Sequence, residues 1–305
     1  MAWPMRVLLV LCMTVLSCLP LSVLRALGSR LGRVLYRIVP KRAHVARVNL
    51  KRCFPHWSDA LVETHVRLAF QYFAQAWLDR AWLWHGSASK IQSRVKWLGS
   101  AEDLALMLNG AEHTLKPEAV IVFAPHFVGL DVAWTALSMQ RAGPLSTIYT
   151  PQSSKVADAW MRASRARFGR VNLFTREDGV KRIVSGLKKG ELLYLLPDMN
   201  FGPEESIFVP FFGIPAATVP SLSRFAKLSG ARVIPVTTQM TPLGYEITVH
   251  ESFKAFPSED FVQDTAFMNQ WLAREIEARP DQYFWLHKRF KTRPDAEKSF
   301  YDSVR

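Results

Sequence analysis

Residues Ala119–Trp134 read "AVIVFAPHFVGLDVAW". The first five are apolar, three of them β-branched, and Pro125 stops the run. A short apolar run of this kind is the pattern of a strand buried on both faces. His126 follows at once, then Gly129 and Asp131, and an apolar helical pattern begins at 130. A strand that passes through a polar turn into a helix is half of a βαβ unit. His126 is therefore predicted at the carboxyl end of a strand, where open α/β sheets bind their ligands. Gly129 suits a tight turn or a close approach there.

The same alternation extends outward. Strand-like runs occur at 119–125, 145–150, 171–175, 191–197, 231–238 and 245–250, with helical patterns at 130–140, 154–168, 179–189, 218–229 and 260–279. Strands separated by helices imply right-handed crossovers and a parallel arrangement. The predicted fold class is α/β: a mixed, mainly parallel sheet flanked by helices, preceded by an N-terminal membrane-anchoring helix.

That last element comes from "VLLVLCMTVLSCLPLSVL", Val7 to Leu24, which holds no charge. As one helix it would reach ~27 Å, marginal for a hydrocarbon core. Arg6 precedes it; Arg25, Arg30, Arg33, Arg37, Lys41, Arg42, Arg47, Lys51 and Arg52 follow, with no acid before Asp59. A basic flank is retained on the cytoplasmic side, which favours an uncleaved anchor over an exported signal peptide. Pro20 leaves two forms open, a span or a helix lying in one leaflet. Leu61–Trp84 then reads as an amphipathic helix, its Phe70, Phe73, Trp77, Leu78 and Trp84 packing on the domain or resting on lipid. The division expected is 1–28 as anchor, 29–90 as a basic and amphipathic membrane-proximal segment, and 91–305 as the α/β domain.

The formal net charge of +13 favours anionic partners. No nucleic-acid-binding motif accompanies it, so no nucleic acid is expected; an anionic lipid surface, an acidic carrier protein or a phosphorylated substrate remain. Cys12, Cys18 and Cys53 all precede the main domain, which excludes a disulfide scaffold and a catalytic cysteine there. No histidine set has metal-ligand spacing, and no metal is expected.

Positions i and i+5 on one helix lie about 140° apart. His126 and Asp131 meet only if the histidine sits in the turn and the aspartate in the first turns of the helix. The carboxylate would then accept Nδ1–H and leave Nε2 as a general base. From spacing alone this pair arises easily by chance. No G-x-S-x-G elbow or phosphate-binding glycine loop is present. Direct transfer of an acyl group to a hydroxyl is the simplest chemistry left. Activation of water by the same pair, making a lipid ester or thioester hydrolase, and a non-enzymatic lipid-binding protein are the rival readings.

"PHFVGLD" resembles the H-x4-D block of glycerolipid-type acyltransferases. Three further stretches are similar to the late acyltransferases of lipid A biosynthesis, the lauroyl/myristoyl transferases acting on Kdo2-lipid IVA. They are "LFTREDGVKRIVSGLKKGELLYLLPD" (173–198), "DMNFGPEESIFVPFFGIPAAT" (198–218) and "YFWLHKRFKTRP" (283–294). With the N-terminal segment the resemblance covers nearly the whole chain. It implies an acyltransferase that moves a fatty acyl chain from acyl carrier protein to a hydroxyl of a phosphorylated lipid A precursor, or of another lipid acceptor. No cofactor is implied beyond that acyl donor. The expected location is the cytoplasmic face of the bacterial inner membrane. It also implies His126 as base, Asp131 as its orienting partner, Arg176 at a phosphate and Glu204 as a substrate contact. Ala124-Pro125 and Met199-Asn200-Phe201 depart from the family's usual residues.

Three features stay open. Asp198, at a second strand tip, is either a turn cap or a neighbour of His126 and a candidate substrate contact. "IFVPFFGIP" is either core and membrane-facing surface or the wall of a hydrocarbon channel. The basic run His287, Lys288, Arg289, Lys291, Arg293 is a solvated face or a patch that meets carrier or phosphates, with Arg289 the candidate contact.

Overall fold

The computed structural model describes residues 2–109, 118–294 and 297–302. The chain begins with helices α1 (Ala2–Cys18), α2 (Leu21–Ile38), α3 (Pro40–Cys53), the 27-residue α4 (Asp59–His85) and the short α5 (Ala88–Gln92). Strand β1 (Val95–Gly99) and α6 (Ala101–Asn109) lead to β2 (Val120–Phe123) and α7 (Leu130–Gln140). Next come β3 (Leu145–Ile148), α8 (Lys155–Arg165), β4 (Val171–Phe174), α9 (Val180–Lys188) and β5 (Leu192–Leu195). A hairpin of β6 (Ile207–Phe211) and β7 (Ile214–Thr218) precedes α10 (Ser221–Ser229), β8 (Arg232–Thr241), β9 (Gly244–Val249) and α11 (Phe261–Ala278).

Seven strands form one sheet in the order β1-β9-β8-β2-β5-β3-β4, with β8 and β9 its one antiparallel pair. This is the α/β class expected, a mostly parallel sheet flanked by helices. Successive β2 residues point to opposite faces and all four are buried. Ile121 and Phe123 join a cluster with Phe225 of α10 and Met268 and Leu272 of α11. Val120 and Val122 join another with Trp134 and Leu137 of α7. A central strand with no solvent face explains its unbroken apolar run.

The N-terminal run differs from expectation. Val7–Leu24 is not one helix: it breaks at Leu19-Pro20 between α1 and α2, because Pro20 lacks the amide a continuing helix needs. No helix among the described residues is long and apolar enough to cross a membrane. Helix α2 instead lies against α4. A Cβ on Gly28 would come within 2.7 Å of the Gln75 Cα, and one on Gly32 within 2.5 Å of the Gln71 Cα. Arg25 then reaches the buried Asp79 of α4 at 3.0 Å, and its guanidinium also donates to the carbonyls of Thr241 and Gly244. Of the α4 aromatic stripe, Phe70 and Trp84 are buried in the core, while Trp77 stays exposed with its ring 6.0 Å from that of Trp160.

Candidate active site

Parallel register sets the site. Phe123 at the end of β2 pairs with Leu195 at the end of β5. His126 and Asp198 each lie three residues beyond those ends, so the two tails leave the sheet side by side. Asp198 Oδ1 lies 2.7 Å from His126 Nδ1, and Oδ2 accepts the His126 backbone N–H at 2.9 Å and the Tyr283 hydroxyl at 3.0 Å. Asp198 is fully buried. Burial alone would raise its pKa, but the neighbouring His126 and the hydrogen bonds from it hold the pKa below the usual carboxylate value. An ionised carboxylate only accepts, so the proton of the His126–Asp198 bond belongs to Nδ1. Nε2 then carries the free lone pair, and it has no hydrogen-bond partner among the described residues.

The turn around His126 is held from two sides. A Cβ on Gly129 would come within 2.8 Å of both Thr238 and the Tyr245 ring, so the chain passes there only as glycine. From the other side the C-terminal segment pairs with it: Val128 N–H donates to the Gln282 carbonyl at 2.9 Å, and Phe284 N–H to the His126 carbonyl at 3.0 Å. His287 follows in that segment and accepts the Asn200 N–H on Nε2 at 3.1 Å. Burial, reinforced by the nearby His126 ring and the Arg289 guanidinium, lowers the His287 pKa to about 4.

His126 and His287 both face a cavity of about 440 Å³, lined largely by apolar groups such as Phe73, Trp134, Met161 and Phe284. A second cavity, of about 630 Å³, shares with it Ile148, Tyr149, Thr150, Leu196 and Phe201.

The expected His126–Asp131 pair is corrected. Asp131 lies in the first turn of α7, where Arg80 of α4 and Arg165 of α8 converge on it. Arg80 donates from Nε and Nη2 to Oδ2 at 3.0 and 2.7 Å; Arg165 donates from Nε and Nη2 to Oδ1 at 3.0 and 2.8 Å. Burial opposes its charge, yet the two arginines bring the Asp131 pKa down to about 2. The carboxylate that reaches the histidine comes from the adjacent strand.

The other predicted contacts fall in different places. Arg176 lines the second cavity with its guanidinium stacked 3.9 Å over the Phe201 ring. Glu204 is exposed and lines neither cavity, whereas Glu205 lines the second. Arg289 does not belong to a solvated basic patch: it is 2 % exposed and donates to the Ala217 carbonyl at 2.8 Å and Thr218 Oγ1 at 2.7 Å. It pins the C-terminal segment to β7. Phe211 is buried and Phe212 packs on Phe54 at 5.1 Å; both lie outside the two linings, which fits the core reading for this pair. Tyr283, Arg80 and Arg165 were not singled out from the sequence. Tyr283 opens the quoted C-terminal motif, which marked the segment without marking the hydroxyl.

A mostly parallel α/β sheet with a carboxylate-bonded histidine at its carboxyl edge, beside an apolar cavity, can present a base to an apolar ligand. Comparison with known proteins makes this specific. The family model for bacterial lipid A biosynthesis acyltransferases matches residues 2–292. The lipid A biosynthesis palmitoleoyltransferase of Escherichia coli (strain K12) is 30% identical over 292 residues, covering 93% of this chain and 90% of its own. The lauroyltransferase of the same organism is 28% identical, covering 93% and 90% of the two chains. Its myristoyltransferase is 31% identical, covering 88% and 81%. The chain belongs to the bacterial lipid A biosynthesis acyltransferase family, and it is an acyltransferase enzyme.

Proposed function

We propose that the protein transfers a fatty acyl chain from acyl carrier protein to a hydroxyl of a phosphorylated lipid A precursor similar to Kdo2-lipid IVA. The observation that carries the mechanism is the 2.7 Å bond between His126 Nδ1 and Asp198 at the edge of an apolar cavity. Nε2 takes the proton from the acceptor hydroxyl as that oxygen attacks the thioester carbonyl. The tetrahedral intermediate collapses with cleavage of the C–S bond, and the proton on Nε2 passes to the departing thiolate. Asp198 stabilises the imidazolium between those two events. Base assistance of this kind contributes roughly 10²–10⁴-fold.

The reaction belongs to the cytoplasmic face of the inner membrane, with the protein seated in the surface of the bilayer. Support comes from Leu8, Leu11 and Val15 on α1 and from Val23, Leu27, Leu31, Val34 and Ile38 on α2, all exposed. On α2 these apolar residues recur at helical spacing among the exposed Arg30, Arg33 and Arg37. A stripe of that kind lies in the headgroup plane rather than across the membrane. Arg176, on the wall of the second cavity, is the candidate contact for one phosphate.

Two measurements test the reading. Lipid A from cells with the gene should carry one acyl chain more than lipid A from cells without it, by mass spectrometry. Purified His126→Ala should lose at least 10²-fold in acyl transfer. Unchanged lipid A, or a His126→Ala enzyme with wild-type turnover, overturns it; thioester loss that proceeds equally without acceptor indicates a hydrolase instead.

A further inference from the structure

Two guanidiniums and one carboxylate line the same cavity as His126. Arg80 and Arg165 each spend one edge, Nε with Nη2, on Asp131. Each keeps Nη1, which has no hydrogen-bond partner among the described residues. Both side chains are mostly buried, 19% and 16% exposed. Asp131 is the only carboxylate among the lining residues, and it is ionised. The cluster thus retains a net positive charge in a largely apolar enclosure, where water screens it weakly. The Arg80 guanidinium also lies 5.2 Å over the Trp84 ring, a contact that leaves its charge uncompensated by any second carboxylate among the described residues, and paired guanidiniums match the oxygens of a phosphate.

We propose that Arg80 and Arg165, aligned by Asp131, form a phosphate-binding subsite in the wall of the His126 cavity. Their backs are fixed, so little side-chain freedom is lost when an anion arrives. The inference rests on the acyl-transfer reading. That reaction brings two sources of phosphate: the phosphodiester of the donor's phosphopantetheine arm and the phosphate monoester of the acceptor sugar. The shared chemistry is a phosphate group delivered beside the reacting atoms.

The test compares wild type with Arg80→Gln and Arg165→Gln, with Arg165→Lys as the charge-retaining control. Transfer is measured with acyl carrier protein thioester against the phosphate-free acyl-N-acetylcysteamine thioester, and with phosphorylated against dephosphorylated acceptor. The glutamine variants should raise KM about 10- to 100-fold for whichever substrate carries the recognised phosphate, with kcat within about threefold. That penalty should vanish when the corresponding phosphate is absent, which identifies the source, and Arg165→Lys should recover part of it. Calorimetry with inorganic pyrophosphate, which needs no turnover, should show binding to wild type and its loss in both glutamine variants. Wild type that transfers acyl chains while the variants lose equally in kcat with every substrate pair, phosphate-free ones included, overturns the proposal but leaves the acyl-transfer reading standing. No transfer by wild type sinks the acyl-transfer reading.

Discussion

In the proposed mechanism His126 works as a base only while Nδ1 keeps its proton and the ring keeps its aim, and Asp198 meets both conditions. Asp198→Asn leaves an oxygen that still accepts from Nδ1 but removes the charge that stabilises the imidazolium. The expected result is a fall in kcat of about 10²–10⁴-fold with KM little changed, checked by steady-state kinetics on protein whose melting temperature matches wild type. At this scale the sequence was partly legible. The strand that stops at Pro125 placed His126 correctly, and the strand ending in Pro197 made Asp198 a possible neighbour. The pairing itself was not legible, because 72 residues separate the partners and only sheet order joins them. Asp131 misled because its spacing fits the turn, while the arginines that claim it come from α4 and α8. Arg289 misled for a different reason. Irregular segments have no period from which burial can be read, so a buried arginine between the exposed Lys288 and Lys291 looks like its neighbours.

Helices and strands were read more fully than contacts between them. Each strand-like run from 119 to 250 became a strand, and the central β2 and β5 were the plainest because they are buried and apolar throughout. The outer strand β1 escaped notice, since its half-exposed "VKWLG" neither alternates cleanly nor forms an apolar run. The β6–β7 hairpin was obscured by Pro210 and Pro215, which argue against strands but sit opposite each other in an isolated two-stranded ribbon that tolerates them. The α2–α4 contact yields its own test. Gly32→Leu places a side chain where the Gln71 backbone lies and should destabilise the protein by about 1–3 kcal/mol. Ala26→Leu, on the exposed side of α2, should change stability by less than about 0.5 kcal/mol. Urea unfolding of both variants measures the difference, and limited proteolysis should cut Gly32→Leu first within residues 19–38.

For the whole molecule, the buried ionisable groups fix the pH range in which the fold holds. Asp131 and Asp198 have pKa values depressed in the folded state, so their stabilisation is present above the unfolded carboxylate pKa and is lost as pH falls through the folded one. For Asp131 the drop from 3.8 to about 2 corresponds to about 2 kcal/mol at neutral pH, withdrawn between about pH 4 and pH 2. His287 acts earlier. It is neutral when folded, with a pKa lowered from 6.5 to about 4, so acid protonates the unfolded chain first and stability declines across that window. Denaturant midpoints measured from pH 8 to 4 should fall below about pH 6.5 in wild type. In His287→Gln, whose side chain does not titrate, that part of the slope should disappear.

The equal tails beyond β2 and β5 impose a rule of length. One residue of extended chain covers about 3.3 Å, more than a hydrogen bond can absorb. Adding or deleting a single residue after either strand would carry one partner past the other and abolish the dyad, though every side chain in it were retained. Insertions are affordable in the helices and loops between the strands, which can vary without disturbing the count. The dyad is thus written in two short intervals, Ala124–His126 and Leu196–Asp198, that must keep step.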